Sequence, residues 1–229
     1  MLKLLILFYC FVSFSTFASE YTVSLLGLAL TDAHCQVAAI NDKGQILGRH
    51  QENKPNSKRN IFIYDSKNGL TLIDLKENLY PQTINNAGQV LGHGNRPFIW
   101  SKTFGIRWLE VPNSTNVQAI GLNDLGQIIG SYLESGSSIR RPFIWDYGVV
   151  TDMGPGSDFS QSIEALGYHV MDIRLLAINN RGELAGAFSY GKFNRKTNKY
   201  VVIGQENFFG METYIFCRSQ KNLRMAYTS

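Results

Sequence analysis

Short apolar segments separated by a recurring polar turn dominate the pattern of the chain. A nine-residue motif, apolar-Asn-x-x-Gly-Gln/Glu-apolar-apolar-Gly, begins at Ile40, Ile84, Leu122 and Ile178. An Asn before a two-residue corner and a Gly after it are typical of a β-hairpin whose three-residue loop ends at positive φ. We therefore predict four hairpins. Their predicted turn residues are Asn41 and Gly44, Asn85 and Gly88, Asn123 and Gly126, and Asn179 and Gly182.

Two further apolar segments follow each hairpin and complete a four-stranded unit. The first is a triplet rich in strand-forming residues, beginning at Phe62, Phe98, Phe143 and, in a divergent form, Tyr214. The second is a Gly-led segment with alternating apolar residues, as at 69–75. Four short strands in about every 40 to 50 residues are typical of a β-propeller blade.

One such unit cannot bury both of its faces, so neighbouring units must pack on one another. We predict an all-β fold, a propeller-like ring of about four four-stranded repeats. The strand candidate 21–27 has no unit of its own and would close the ring by pairing with the last unit, which removes an exposed edge. A five-bladed ring is the alternative. The domain spans 19–229, with insertions at 154–172 and 187–213.

The first 18 residues have the pattern of a secretory signal peptide. Lys3 precedes an apolar segment from Leu4 to Phe14, and the small residues Thr16 and Ala18 favour cleavage after Ala18. The apolar segment is shorter than the roughly 20 residues that span a bilayer. We expect no membrane span and export to the periplasm or the extracellular space. A lipoprotein anchored at Cys10 is a less favoured alternative.

The motif core followed by Phe-Ile-Trp resembles the HAF-type extracellular repeat proteins of bacteria. Residues 21–153 carry this resemblance strongly and residues 172–225 more weakly. The family's usual His-Ala-Phe or Arg-Ala-Phe is replaced by Arg-Pro-Phe at 96–98 and 141–143. The resemblance implies export and a repeated architecture. It implies no particular activity, so function stays open.

Composition excludes several classes of partner. The chain has 229 residues, of which 44% are hydrophobic and 17% charged, and a net charge of +4 that becomes +3 when Lys3 is removed. Nucleic-acid binders concentrate far more positive charge on one face, so no nucleic-acid partner is expected. Each Asn-led turn offers at most one carboxylate, too few for a calcium site. We predict no metal and no cofactor.

Four side chains are candidates for ligand binding. Arg96 and Arg141 could hold an anion such as an acidic polysaccharide, because guanidinium groups bind carboxylates in a bidentate manner. Trp100 and Trp145 could stack on sugar rings. The alternative is that both arginines pair with surface carboxylates and both tryptophans belong to the core between blades.

Cys35 and Cys217 form a possible disulfide. An even pair of cysteines in an exported chain favours a bridge, and both would lie near the seam where the predicted ring closes. The alternative is two separate thiols.

No sequence motif indicates catalysis. The chain contains no H-E-x-x-H, G-x-S-x-G, P-loop or G-x-G-x-x-G pattern. We therefore expect a monomeric binding module for an unknown protein or glycan and predict no catalytic residue. Two alternatives stay open: a secreted hydrolase or lyase that uses the funnel of the propeller, and a factor directed at a host or a competitor.

Overall fold

The computed structural model describes residues 33–54, 59–73, 79–197, 199–210, 214–219 and 222–227, with side chains as far as residue 209. The predicted signal peptide and the predicted ring-closing strand lie outside these ranges. The regular elements of the described residues are strands, apart from one short helix. The prediction of an all-β chain is confirmed.

The strands form four antiparallel sheets in chain order, and each strand pairs with the next one. Sheet 1 contains β1 (Ala33–Ile40), β2 (Ile46–Glu52), β3 (Arg59–Asp65) and β4 (Gly69–Ile73). Sheet 2 contains β5 (Tyr80–Ile84), β6 (Val90–His93), β7 (Pro97–Ser101) and β8 (Gly105–Trp108). Sheet 3 contains β9 (Ser114–Leu122), β10 (Ile128–Glu134), β11 (Arg140–Asp146) and β12 (Val149–Asp152). Helix α1 (Asp158–Glu164) follows. Sheet 4 contains β13 (Val170–Ile178), β14 (Leu184–Asn194), β15 (Lys199–Gly210), β16 (Tyr214–Ser219) and β17 (Asn222–Tyr227).

The apolar cores lie between consecutive sheets. Alternate residues of a strand point to opposite faces, so each middle sheet supplies one apolar face to the preceding sheet and the other to the following one. In sheet 2, Val90 packs toward sheet 1 and Leu91 toward sheet 3. In sheet 3, Ile128 packs toward sheet 2 and Ile129 toward sheet 4. This arrangement explains why the two motif positions after the Gln are both apolar.

The last glycine of the motif is fixed by close packing. Gly130 lies opposite Phe143 in the β10–β11 pair, and the phenyl ring covers it. A Cβ at this position would lie 2.2 Å from the carbonyl oxygen of Gln118 and 2.7 Å from the ring. The same glycine–phenylalanine pair occurs in the other three sheets: Gly48 with Phe62, Gly92 with Phe98, and Gly186 with Phe208.

This pairing corrects the prediction for the fourth unit. The sequence pattern assigns the aromatic triplet of that unit to Tyr214, but the residue that covers Gly186 is Phe208 on β15. Tyr214 begins β16, the fourth strand of its sheet, and a fifth strand follows. The triplet is missed because Phe208 is followed by Phe-Gly instead of Ile-Trp.

Both predicted insertions contain regular structure. In 154–172, Ser157 caps α1 by accepting a hydrogen bond from the backbone N–H of Ser160, and the helix buries Ile163 against sheet 4. In 187–213, the chain lengthens the β14–β15 hairpin far beyond its counterparts in the other sheets. The second insertion is therefore an extension of a repeat strand pair.

Candidate functional site

Each motif asparagine closes its own turn through side-chain hydrogen bonds. In the first turn, Asn41 Oδ1 accepts from the backbone N–H groups of Lys43 (3.1 Å) and Gln45 (2.9 Å), and its Nδ2 donates to Gln45 Oε1 (2.8 Å). Gly44, with a φ of 74°, donates its N–H to the Asn41 carbonyl. Gly88, Gly126 and Gly182 have similar left-handed values. These bonds account for the Asn-x-x-Gly-Gln spacing.

The same asparagines join one turn to the next. Asn41 Nδ2 donates to the carbonyl of Asn85 (2.9 Å), Asn85 Nδ2 to that of Asn123 (2.8 Å), and Asn123 Nδ2 to that of Asn179 (2.9 Å). Four turns from four sheets thus form one row, which we call the turn ladder. Asn85 is 6% exposed and Asn123 is 2% exposed, so these amides form the buried middle of the ladder.

The residues after the asparagines add a second row. They alternate as Asp42, Asn86, Asp124 and Asn180, and this alternation places carboxylate acceptors beside amide donors. Asn86 Nδ2 donates to Asp42 Oδ2 (2.8 Å) and to Asp124 Oδ2 (2.9 Å). The backbone N–H of Asn86 donates to Asp124 and lowers the pKa of this carboxyl group. Hydrogen bonds from the amide side chains of Asn86 and Asn180 lower it further.

The ladder gives the polar turn residues a structural role. Every motif asparagine side chain is engaged by protein groups, so the Asn and Asp pairs need no cation to satisfy them. Within the described ranges, no group of three or more His, Cys, Asp or Glu side chains is arranged to hold a metal ion.

A cavity lies between sheets 2 and 3. Its volume is about 1090 Å³. Its lining combines Gln82 of β5, the β6–β7 turn at 93–97 and the connection at 109–112 with residues of β9. Polar side chains that line it are Gln82, His93, Asn95, Arg96, Glu110, Ser114, Asn116 and Gln118. We call this cavity the groove.

Arg96 and Glu110 are the charged residues at the mouth of the groove. Their side chains are 53% and 79% exposed, and Arg96 Nη1 lies 3.6 Å from Glu110 Oε1. The guanidinium carbon of Arg96 lies 5.4 Å from the ring centroid of Trp108, within cation–π range. The opposed charges leave the groove close to neutral, so uncharged hydrogen-bonding groups dominate its chemistry.

A stacked column stands at the edge of the groove. His93 stacks on Tyr80 with ring centroids 5.3 Å apart and planes 10° apart. Arg49 covers Tyr80, with its guanidinium carbon 4.5 Å from the centroid. A smaller cavity of about 370 Å³ between sheets 1 and 2 shares Gln82 and His93 with the groove. The two cavities therefore meet at these two side chains.

The structure separates the four predicted binding residues. Only Arg96 lines the groove. Arg141 is mostly buried and pairs with Asp152, a contact that raises the pKa of the guanidinium. Trp145 is 3% exposed in the core between sheets 2 and 3, and Trp100 packs against the core between sheets 1 and 2. Both arginines thus pair with carboxylates, and both tryptophans contact a core between sheets. Ligand binding by these four residues stays a prediction.

Comparison with known proteins assigns the chain to no family. No protein-family model matches it, and neither does any curated protein.

The two cysteines are only partly described. Cys35 is exposed on β1, opposite His50 of β2, and forms no disulfide with a described side chain. Cys217 lies on β16, whose side chains are outside the described part of the chain. The disulfide between them stays a prediction.

The repeated motif does not mark most of the residues that line the groove. Gln82, Glu110, Asn116 and Gln118 occupy positions outside the repeated motif, so no self-similarity marks them. One signal is available. Thr115, Asn116 and Gln118 give β9 a cluster of polar residues at its start. A polar strand beside a buried sheet indicates a face that borders solvent or a ligand.

No helix in the described ranges has the length and hydropathy that a membrane crossing requires.

Proposed function

We propose that the protein is an exported bacterial repeat protein that acts as a binding module, and that the groove is its ligand site. The observation that carries this proposal is the groove itself, a cavity of about 1090 Å³ lined by side chains that do not belong to the structural motif. Ligand sites are typically few, concave and already formed in the free protein.

The proposed architecture is a propeller-like ring. Support comes from four consecutive antiparallel sheets, each in contact with the next, and from a turn ladder that joins one hairpin of every sheet. The resemblance to the HAF-type repeat proteins agrees with this arrangement. Ring closure by residues 21–27 is part of the proposal.

A glycan is the ligand class that best suits the groove. Sugar hydroxyls both donate and accept hydrogen bonds, and the amides of Gln82, Asn116 and Gln118 offer both functions. Arg96 and Glu110 add one strong donor and one strong acceptor with no net charge. Because Arg141 is already paired with Asp152, the structure favours a neutral sugar over the acidic polysaccharide expected from the two arginines together.

Arg96→Ala tests the site. The mature chain, residues 19–229, is applied to an array of neutral and acidic oligosaccharides, and a sugar that binds is then titrated by calorimetry. We expect Arg96→Ala to weaken binding about tenfold, because one charge-assisted hydrogen bond is lost. Arg107→Ala is the matched control, since Arg107 is an exposed arginine on sheet 2 outside the groove lining. Equal affinities of the two variants would place the ligand elsewhere.

Export is tested separately. Intact mass measurement of the protein from the periplasm and the culture supernatant should give a chain that begins at Ser19. A chain that retains Met1 or that begins at a lipidated Cys10 contradicts the proposed processing.

A further inference from the structure

The β14–β15 hairpin extends beyond the sheet that it belongs to. β13 pairs with β14 as far as Tyr190, and β16 pairs with β15 from Asn207 to Phe209. Between these points, residues 191–197 and 199–203 form a two-stranded ribbon in which Lys192 faces Val201 and Phe193 faces Tyr200. We call this segment the ribbon. Gly191 donates its N–H to the carbonyl of His169 (3.0 Å), and beyond this bond the outer edges of the ribbon have no ladder partner among the strands that the structure describes.

The ribbon exposes apolar side chains on both of its faces. Val201, Val202 and Ile203 are consecutive, so neighbours among them point in opposite directions. They are 48%, 55% and 52% exposed. Phe193 and Tyr200 are each 47% exposed, with ring centroids 5.1 Å apart. Such a two-stranded segment is marginal in water, and its apolar surface favours a partner.

The charge of the ribbon has one sign. Lys192, Arg195, Lys196 and Lys199 lie within eight residues, and no Asp or Glu occurs from Leu184 to Gln205. All four cations are exposed. By contrast, the exposed Arg96 pairs with Glu110, and the exposed Arg174 pairs with Asp172. This charge favours an anionic partner for the ribbon.

We propose that the ribbon docks the protein on a lipid bilayer that carries anionic headgroups. Aliphatic side chains on two faces suit immersion in an apolar medium, and lysine and arginine beside them suit phosphate groups at its surface. Tyr200, held against His169 at 3.9 Å between ring centroids, has the amphipathic ring that prefers this interface.

Two other occupants fit less well. A second copy of the chain would bring two sets of four cations together along an exposed edge, and like charges directly opposite each other destabilise strand pairing. An acidic protein would satisfy the cations, but it would have to cover both apolar faces of a ribbon two strands wide. The experiment below distinguishes an acidic protein partner from a lipid bilayer.

The experiment is flotation of the mature chain with vesicles. One set is pure phosphatidylcholine. In the other set, about one lipid in three is the anionic lipid phosphatidylglycerol. We expect at least tenfold stronger partition to the anionic vesicles, weakened by salt. The charge variant is Lys192→Gln with Lys196→Gln and Lys199→Gln. Its matched control is Lys67→Gln with Lys102→Gln and Arg107→Gln, three exposed cations on sheets 1 and 2.

The charge variant should lose binding to anionic vesicles at least tenfold, and its matched control should lose less than twofold. Val201→Thr with Val202→Thr should weaken partition at unchanged net charge, with the circular dichroism spectrum as the check on folding. Equal loss in the two charge variants overturns the proposal. So does capture by immobilised polyglutamate without vesicle binding, which indicates an acidic protein partner. Arg96→Ala should leave flotation unchanged, so this test is independent of the groove.

Discussion

The turn ladder and the ribbon differ in how far their side chains are buried and paired. In the ladder, Asn85 and Asn123 are buried and their amides have protein partners at 2.7 to 2.9 Å. In the ribbon, Val202 and Phe193 are about half exposed, and four cations lack acidic neighbours along the chain. The hydrogen-bonding groups of the ladder have partners within the molecule, whereas the ribbon exposes apolar and cationic side chains to solvent.

The difference separates structural from functional positions. Residues of the repeated motif meet the same packing and hydrogen-bonding demands in every sheet, so they recur. The groove and the ribbon lie outside the motif, where the sequence is free to suit a ligand or a surface. Substitutions should therefore harm stability in the motif and binding outside it, and the following predictions test this division.

The largest effect is expected at the glycine under the phenylalanine ring. Gly130→Ala places a methyl group 2.2 Å from the Gln118 carbonyl oxygen, and backbone, unlike a flexible side chain, cannot move away. We expect a loss of about 3 kcal/mol in the free energy of unfolding, measured by urea denaturation.

Gly136→Ala is the control for this prediction. Gly136 has a φ of 82° and open space around its Cβ position, so alanine there carries only the backbone strain of about 1 kcal/mol. A loss at Gly130 no larger than that at Gly136 contradicts the proposed role of the glycine–phenylalanine pair.

The next effect is expected in the middle of the ladder. Asn85→Ala leaves the backbone N–H of Gln89, the Oε1 of Gln89 and the carbonyl of Asn123 without their partner. Because Asn85 is buried, water cannot readily replace it, and we expect a loss of about 2 kcal/mol. Asn179→Ala is the matched variant at the end of the ladder, where the asparagine is exposed. Its loss should be about 0.5 kcal/mol, and equal losses would show that the ladder adds nothing to the separate turns.

Much of the fold is predictable from the sequence because the motif residues form their hydrogen bonds with near neighbours in the chain. Asn41 and Gly44 define a turn through bonds within five residues, and such bonds depend little on the rest of the chain. The bonds between turns are less accessible to prediction. The alternation of Asp42, Asn86, Asp124 and Asn180 is visible in the sequence, but its meaning requires knowing that successive turns are neighbours.

The candidate site is less predictable because it depends on pairs of sheets. Gln82 on β5 and Gln118 on β9 line one groove only because sheets 2 and 3 pack together. Trp100 and Trp145 suggest ligand contacts by residue type, but their positions on middle strands bury Trp145 and leave Trp100 partly buried against the core between sheets 1 and 2. The fourth unit is misassigned because strand length varies outside the motif, so Phe208 stands farther from its hairpin turn than Phe62, Phe98 and Phe143 do from theirs.

A smaller effect is expected from acid. The pKa of Asp124 is lowered in the folded protein, chiefly by the backbone N–H of Asn86, so the unfolded chain binds its proton at a higher pH. This contribution is complete above the ordinary value of about 3.9 and is lost as the pH falls through the lower folded value. Asp124→Asn should remove it. The stability gap between the variant and the native protein, at most about 1 kcal/mol at pH 6, should close on acidification. A gap that persists unchanged at low pH contradicts the role assigned to this carboxylate.

The smallest effect on stability is expected in the ribbon. Val202 is 55% exposed on a segment that lies beyond the reach of β13, so Val202→Thr removes little buried apolar surface and keeps the β-branched shape that strands favour. We expect the free energy of unfolding to change by less than about 0.5 kcal/mol, as for most surface substitutions. Urea denaturation beside Ile129→Thr provides the comparison, because Ile129 is fully buried between sheets 3 and 4 and a polar group there should be far more damaging. If Val202→Thr destabilised the fold by more than 1 kcal/mol, about twice the expected limit, the ribbon would be part of the folded core. Its exposed apolar residues would then have a structural explanation.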